Sequence, residues 1–422
     1  MLEDIALGDF NIKIDPESSF WATGDNKRIE AFYSGIREEL IKEMKDFRFN
    51  RELILLYVNP TDRCNASCPY CYLPSKIKTR QKNMSYEELA EIAEKAIVYF
   101  EEKGIKGSIV FHGSEPLLNK ENIFKIIEDY NDNINFGIQT NGFLLTEEDV
   151  DFIKDRAVNT GISLDSPDRK INDYLRGEGH HSKILEALDW FDGYSALNVV
   201  TTITGYNMTQ LADMIEFLHS HKVSLSLMNP VRGTQRASMA FRPDPLKIAG
   251  EFIKAVDKSI ELTKTGRRIV IGDFANIILG IVAPAARVLM CDISPCGAGR
   301  RFFAVSAEGS SYPCGEFIGM EEFSGGNVFS DSIGKISSSE NFRKVMERTV
   351  EGIDECKTCN LRNICGSPCP AELYSSEGSM YRKSYYCDFY KKVVEYAFRM
   401  IINDDIWYVL RRSALIEKYK II

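Results

Sequence analysis

Asn59-Pro60-Thr61-Asp62-Arg63-Cys64-Asn65-Ala66-Ser67-Cys68-Pro69-Tyr70-Cys71 follows directly on the apolar run Leu53–Val58. Three cysteines spaced C-x3-C-x2-C on one loop can hold three irons of a four-iron cluster. Ferredoxin-type clusters use four thiolates, so the fourth iron is left open, and an open metal position is where a substrate or cofactor binds. Downstream, the strand-like runs Ser108–Phe111, Phe136–Thr140, Thr160–Leu164, Asn198–Ile203 and Ser224–Met228 alternate with helical periodicity near 85–103, 119–130, 146–156, 182–192 and 207–221. Such alternation specifies βαβ units and a parallel sheet. Six units are too few for a closed eight-stranded barrel. The expected fold is therefore α/β, an open, partial (β/α)6 TIM-like barrel with its chemistry at the carboxyl ends of the strands.

The strand ends carry the candidate residues. The second ends in Phe111-His112-Gly113-Ser114-Glu115-Pro116, the third in Gln139-Thr140-Asn141-Gly142 and the fourth in Ser163-Leu164-Asp165-Ser166-Pro167. Glycine lets a backbone approach a ligand closely. Carboxylate and hydroxyl groups suit ribose, and an arginine such as Arg176 suits a carboxylate. Taken singly, Asn141-Gly142 also reads as a turn and Asp165 as a helix cap. His112, His180 and His181 read as structural or surface residues.

The chain has eleven cysteines, three between Cys64 and Cys71 and eight between Cys291 and Cys387. An odd count, so clustered, points to metal ligation rather than disulfides. The late set runs Cys291, Cys296, Cys314, then Cys356-x2-Cys359-x5-Cys365-x3-Cys369, and Cys387. A net charge of -9 speaks against a nucleic-acid partner. No apolar stretch is long enough to span a membrane, and the N-terminus lacks a secretory pattern, so a cytoplasmic location is expected.

The cysteine loop, with Tyr70 before its last cysteine, resembles the signature of the radical S-adenosylmethionine (SAM) superfamily. Gly113-Ser114-Glu115-Pro116 is similar to that family's Gly-Gly-Glu-Pro motif, with Ser114 for the second glycine. The resemblance implies that Cys64, Cys68 and Cys71 hold a [4Fe–4S] cluster whose open iron chelates SAM, and that reduction releases a 5′-deoxyadenosyl radical. It places Tyr70, Gly113, Ser114 and Glu115 at the methionyl end of SAM, with Asn141 at the third strand end. Ser163 and Asp165 would lie at its ribose or carboxylate, Arg176 at its carboxylate and Leu227 at its adenine. The late cysteines, with Gly309 between Cys296 and Cys314, resemble the SPASM iron–sulfur domain. That implies a first auxiliary cluster on Cys291, Cys296, Cys314 and Cys369, and a second on Cys356, Cys359, Cys365 and Cys387. The cofactors are thus three [4Fe–4S] clusters and SAM.

The expected organisation is an N-terminal extension (1–50) that contacts a leader peptide, a barrel (51–230), a helical linker (231–290), a SPASM domain (291–390) and a helical tail (391–422). In the extension the strand-like Phe10–Ile14 precedes a helix over 26–47 with Ile29, Phe32, Ile36, Leu40 and Met44 on one face. The expected activity is oxidative modification of a ribosomally made precursor peptide by a thioether or carbon–carbon bond. A reducing donor such as flavodoxin or ferredoxin supplies the electron. Two alternatives stay open. One is anaerobic sulfatase maturation, whose enzymes carry an Asp directly after the cysteine matching Cys314. Here Gly315 and Glu316 follow, and Glu316 is the candidate base. The other is a non-enzymatic iron–sulfur carrier or zinc-stabilised binding protein.

Overall fold

The computed structural model describes residues 2–8, 10–411 and 415. Three strands open the chain: β1 (Glu3–Leu7), β2 (Phe10–Asp15) and β3 (Phe20–Ala22). They form a small antiparallel sheet in the order β1-β2-β3. The main sheet begins with β4 (Leu55–Val58), β5 (Ser108–Phe111), β6 (Asn135–Thr140), β7 (Asn159–Ser163), β8 (Leu197–Ile203) and β9 (Leu225–Pro230). Each pairs in parallel with the next. This order never reverses, so the sheet is wound in one direction, as in a barrel. Doubly wound sheets reverse at a switch point.

Burial alternates along these strands. Leu56, Val58, Ile109, Phe111, Ile138, Ile162, Val199, Ile203 and Met228 are buried in the main core. Tyr57, Val110, Gln139, Ser163, Val200 and Leu227 are only half-buried. A parallel sheet covered on both faces buries both; here the second face borders an open lumen. The helices on the outer face start where capping residues dictate. Ser85 and Glu88 form a reciprocal capping box on Tyr86–Glu102, as do Thr146 and Asp149 on Glu147–Asp155.

The segment 231–290 is helical as expected, yet it is no linker. Its Pro245–Thr265 helix packs against the Leu211–Ser220 and Cys387–Ile402 helices. Its two-residue β10 (Val270–Ile271) pairs in parallel with β9 and extends the sheet. On the other side β11 (Phe302–Val305) pairs in parallel with β4. β12 (Ser310–Tyr312) and β13 (Gly326–Asn327) follow antiparallel. The cysteine-rich segment therefore continues the barrel sheet, which totals ten strands. A two-residue strand and a pairing of β11 with a distant strand leave no local sequence signal. The tail's helix, Cys387–Ile402, ends well before the C-terminus. The expected helix over 412–414 and 416–422 lies outside the described residues.

The first helix, Asn26–Phe49, is capped by Asp25 and buries Ile29, Tyr33, Met44 and Arg48. Phe32, expected on the apolar face, is 62 % exposed. Tyr33 takes the inward position because its hydroxyl donates to Asp15 and pairs with Ser18. This extension clamps the cysteine-rich segment. Arg48 donates to both Glu351 oxygens at 2.9 Å and to the Ser294 carbonyl. Arg300 returns hydrogen bonds to the carbonyls of Phe47 and Asn50. Asn363 donates to the Pro16 carbonyl at 2.7 Å. Deleting residues 2–50 is therefore expected to lower the iron content of anaerobically reconstituted protein. Undiminished iron in the truncated chain would show that the clamp is dispensable.

Candidate active site

The carboxyl ends of β4 to β9 meet at one end of the lumen. Glu115, fully buried, ties the second strand end to the third. It accepts from Thr140 Oγ1 (2.7 Å), the Asn141 amide (2.7 Å) and the Leu117 amide (3.0 Å). Burial pushes its carboxyl up to about 7 against these three donors. Gly113 has φ +106° and its missing Cβ would stand 2.2 Å from the Asn59 side chain, so no other residue fits there. Ser114 Oγ donates to the Asp62 carbonyl at 3.2 Å. Asn141 Nδ2 donates to Asn65 at 2.8 Å and lies 4.0 Å from Cys64 Sγ, so the third strand end touches the cysteine loop.

Asp165 and Arg176, expected to face SAM, face each other. Arg176 Nε and Nη2 grip the carboxylate at 2.7 and 2.9 Å. Tyr70 OH and the Thr202 amide also donate to Asp165. The Arg176 guanidinium lies 5.4 Å from the Tyr70 ring centre. Tyr70 therefore links the cysteine loop to the fourth strand end. Ser163 and Leu227 stand in one cross-strand row through Val200 on the lumen face. Leu227 packs toward Gly272, where a Cβ would be 2.7 Å away.

The three histidines near the site are each hydrogen-bonded within the fold. His180 Nε2 donates to the Asn141 carbonyl at 2.7 Å, and Nδ1 accepts from Asn172 at 2.9 Å. That pairing requires the neutral ring. Burial, with help from Arg176, pulls its pKa down to about 4. Its stabilising share is complete above the ordinary value near 6.5 and is lost as pH falls toward 4. We expect urea stability to fall by roughly 2–3 kcal/mol more between pH 7 and 4 in the native chain than in His180→Gln. Parallel pH profiles for the two would refute this. His181 Nε2 bonds the Pro167 carbonyl at 2.9 Å. Half-buried His112 pairs with Tyr72 OH at 3.3 Å.

The thiols gather as their spacing suggests. Cys71, Cys296, Cys314 and Cys369 border one apolar cluster with Tyr72, Phe317 and Ala371. Cys291 is in electrostatic reach of Cys296 and Cys369. It lines open space yet lies deep in the chain, and burial pushes its thiol up. Cys356, Cys359, Cys365 and Cys387 line a single hollow. Burial likewise raises Cys64, to about 11, and Cys68. Thiols this deep become thiolates only against a compensating metal charge, so loading releases protons. Soft sulfur donors gathered in this way suit iron–sulfur clusters. Among the described residues no three His, Cys, Asp or Glu side chains converge as a single-ion site would require.

Glu316 is half-buried, accepts from Thr234 Oγ1 at 3.0 Å, and is raised to about 7 by loss of solvent around its carboxyl. Several residues here were not legible as site residues. Burial pulls Lys78 down, but the thiols of Cys71 and Cys64 hold it above its usual value. Arg348, 1 % exposed, donates to the carbonyls of Met380 and Gly366, with Cys296, Cys369, Cys356 and Cys365 around it. Arg232 and Glu372 join the barrel to the cysteine-rich segment. Each is a lone charged residue outside any motif, so spacing gives no signal.

Residues 58–219 match the radical SAM superfamily, and residues 296–360 match the SPASM iron–sulfur cluster-binding domain. An uncharacterised protein of Archaeoglobus fulgidus is 48 % identical over 100 % of this chain and 99 % of its own. A cysteine-type anaerobic sulfatase-maturating enzyme of Clostridium perfringens is 23 % identical over 83 % of this chain and 98 % of its own. The crystal structure of Streptococcus suis SuiB bound to precursor peptide SuiA superposes with TM-score 0.61 at 13 % identity, covering 88 % of this chain and 95 % of that one. Among the described residues no helix is long and apolar enough to cross a membrane. The motifs, the singly wound parallel sheet and these matches agree: the chain belongs to the radical SAM superfamily and carries a SPASM domain, with SAM and [4Fe–4S] clusters as its cofactors.

Proposed function

We propose that the chain oxidatively modifies a residue of a ribosomally made peptide. One observation carries the reading. Cys71 of the open set shares an apolar cluster with Cys296, Cys314 and Cys369 of a closed set, and a half-buried carboxylate, Glu316, stands two residues after Cys314. An electron carrier needs neither the open set nor a base. When bound, SAM and the open cluster supply hydrogen abstraction, and the closed clusters accept the electron that the substrate then gives up.

The chain's own residues do the rest. Cys64, Cys68 and Cys71 hold the open cluster. Cys291, Cys296, Cys314 and Cys369 hold the first closed one, and Cys356, Cys359, Cys365 and Cys387 the second. Gly113, Ser114 and Asn141 shape the methionyl end of the SAM pocket, and Glu115 fixes the two strand ends that form it. Ser163 and Leu227 line the ribose and adenine end. Asp165, Arg176 and Tyr70 hold that wall as one ion-paired unit. Glu316 keeps Oε1 free of a protein hydrogen bond while Oε2 is held by Thr234. That free oxygen takes the proton the substrate releases. The exposed edge of β1 is our candidate leader contact, by strand addition. An Ile5→Pro chain tests it better than deletion, because residues 1–50 also clamp the cysteine-rich segment.

Sulfatase maturation is the second reading, favoured by the relative of that activity and by Glu316 so close to Cys314. Mass spectrometry separates the two. The anaerobic holoenzyme is given SAM, reductant and either any short peptide found encoded beside its gene or a sulfatase peptide bearing the target Cys. Loss of two hydrogens from the first, coupled to 5′-deoxyadenosine, supports the proposal. Formylglycine in the second alone overturns it in favour of sulfatase maturation.

A further inference from the structure

The loop after β9 does not end at the lumen. Its residues are stitched one by one onto the segments that carry closed-set cysteines. The Val231 carbonyl accepts from Tyr386 OH at 2.8 Å, next to Cys387. The Gly233 amide donates to Glu372 Oε1 at 2.9 Å, on the helix that starts after Cys369. Thr234 Oγ1 donates to Glu316 at 3.0 Å, just past Cys314. Between these anchors stands Arg232. Its side chain is 13 % exposed, and its nearest carboxylate oxygen, Glu372 Oε2, is 3.8 Å from Nη1. Nη1 is buried and has no hydrogen-bond partner.

A buried guanidinium with an unused N–H needs an acceptor. Cys291 and Cys369 are the thiols within its electrostatic reach. Glu372 does not cancel this charge alone, because Arg242 Nη2 occupies its other oxygen at 2.9 Å. That contact needs a glycine at 233, where a Cβ would stand 1.9 Å from Arg242 Nη2. Two arginines thus meet one glutamate. Glu316 and Asp292 also feel Arg232, but burial pushes both toward the neutral form.

We propose that Arg232 is a positioning residue that sets the reduction potential of the four-iron cluster on Cys291, Cys296, Cys314 and Cys369. This rests on the ligand assignment above. A cluster with four thiolates is an anion, and one added electron makes it more so. A fixed positive charge and an unpartnered N–H beside it favour the reduced form, because charge and sulfur hydrogen bonds tune such potentials. Arginine suits the task because it stays protonated even when buried.

The test is an EPR-monitored redox titration, with mediators and dithionite as electron source. The protein is the full-length Cys64→Ala/Cys68→Ala/Cys71→Ala chain, reconstituted so that only the two closed clusters remain. Arg232→Gln should lower one midpoint by at least tenfold in the reduction equilibrium, about 59 mV for one electron, and leave the other in place. Arg232→Lys should keep most of the native value. Glu372→Gln should move the same midpoint the opposite way. Unmoved midpoints at undiminished iron overturn the proposal, as do shifts of both clusters together or in one direction for both Gln variants. Should Arg232→Gln load poorly, Arg232→Lys and Glu372→Gln decide alone. If Cys314→Ala leaves both signals intact, the ligand assignment fails instead.

Discussion

Exchanging Cys64, Cys68 and Cys71 together for alanine removes about four of about twelve irons per chain, at four irons to a cluster, and all SAM cleavage. The loss is complete because no other residue can replace the open site. On the proposed assignment the other eight cysteines form two sets of four, which leave no iron open to SAM. The fold should survive. The loop is fastened by other groups: the Met84 amide on the Pro60 carbonyl at 2.9 Å, Asn119 on the same carbonyl at 3.1 Å, and Tyr70 on Asp165. Iron analysis and 5′-deoxyadenosine assay read the two losses separately. Residual SAM cleavage by the triple variant would break the central assignment. Loss of all twelve irons would instead mean that the closed sets depend on the open one.

The second large effect is on stability. Asp165→Ala is expected to cost roughly 3–5 kcal/mol, the usual consequence of leaving one member of a buried ion pair alone. Among the described residues Arg176 has Asp165 as its only carboxylate hydrogen-bond partner; it is 9 % exposed and would keep its charge. Tyr70 OH and the Thr202 amide would lose their acceptor as well. Exchanging the pair together, Asp165→Leu with Arg176→Met, should recover a large part of that loss, since an apolar pair leaves no stranded charge. Anaerobic denaturant titration measures both. SAM cleavage should be lost in each, so stability, not activity, separates them. A single Asp165→Ala variant within 1 kcal/mol of native would show that the pair is not a structural unit.

Much of this molecule is local and therefore legible. The six strands appear within two residues of their expected ends, because each is a short apolar run between breakers. The capping boxes at Ser85 and Thr146 are likewise written in four-residue patterns. Gly113 is forced by its own backbone angle and by Asn59. Asp165 is different. As a residue type it suits a ribose or a helix cap, and only the approach of Arg176 and Tyr70 makes it half of a buried ion pair.

The eleven clustered cysteines determined by themselves that this chain ligates metal rather than forming disulfides, because ligand spacing is a property of the chain. That the late eight form two sets of four is what the resemblance to the SPASM domain implies. The alternation of strand and helix runs likewise determined the partial barrel. Tertiary structure alone decided that 231–290 is part of the sheet and its helices. It also decided that β11 continues the barrel through β4, and that residues 1–50 clamp the cysteine-rich segment. Arg232 belongs to the same class. Its partners are Glu372 and the thiols of Cys291 and Cys369, which lie far off in sequence. A single charge acquires meaning only from what is folded around it, because Coulomb interactions in a buried site depend on distance in space and not along the chain.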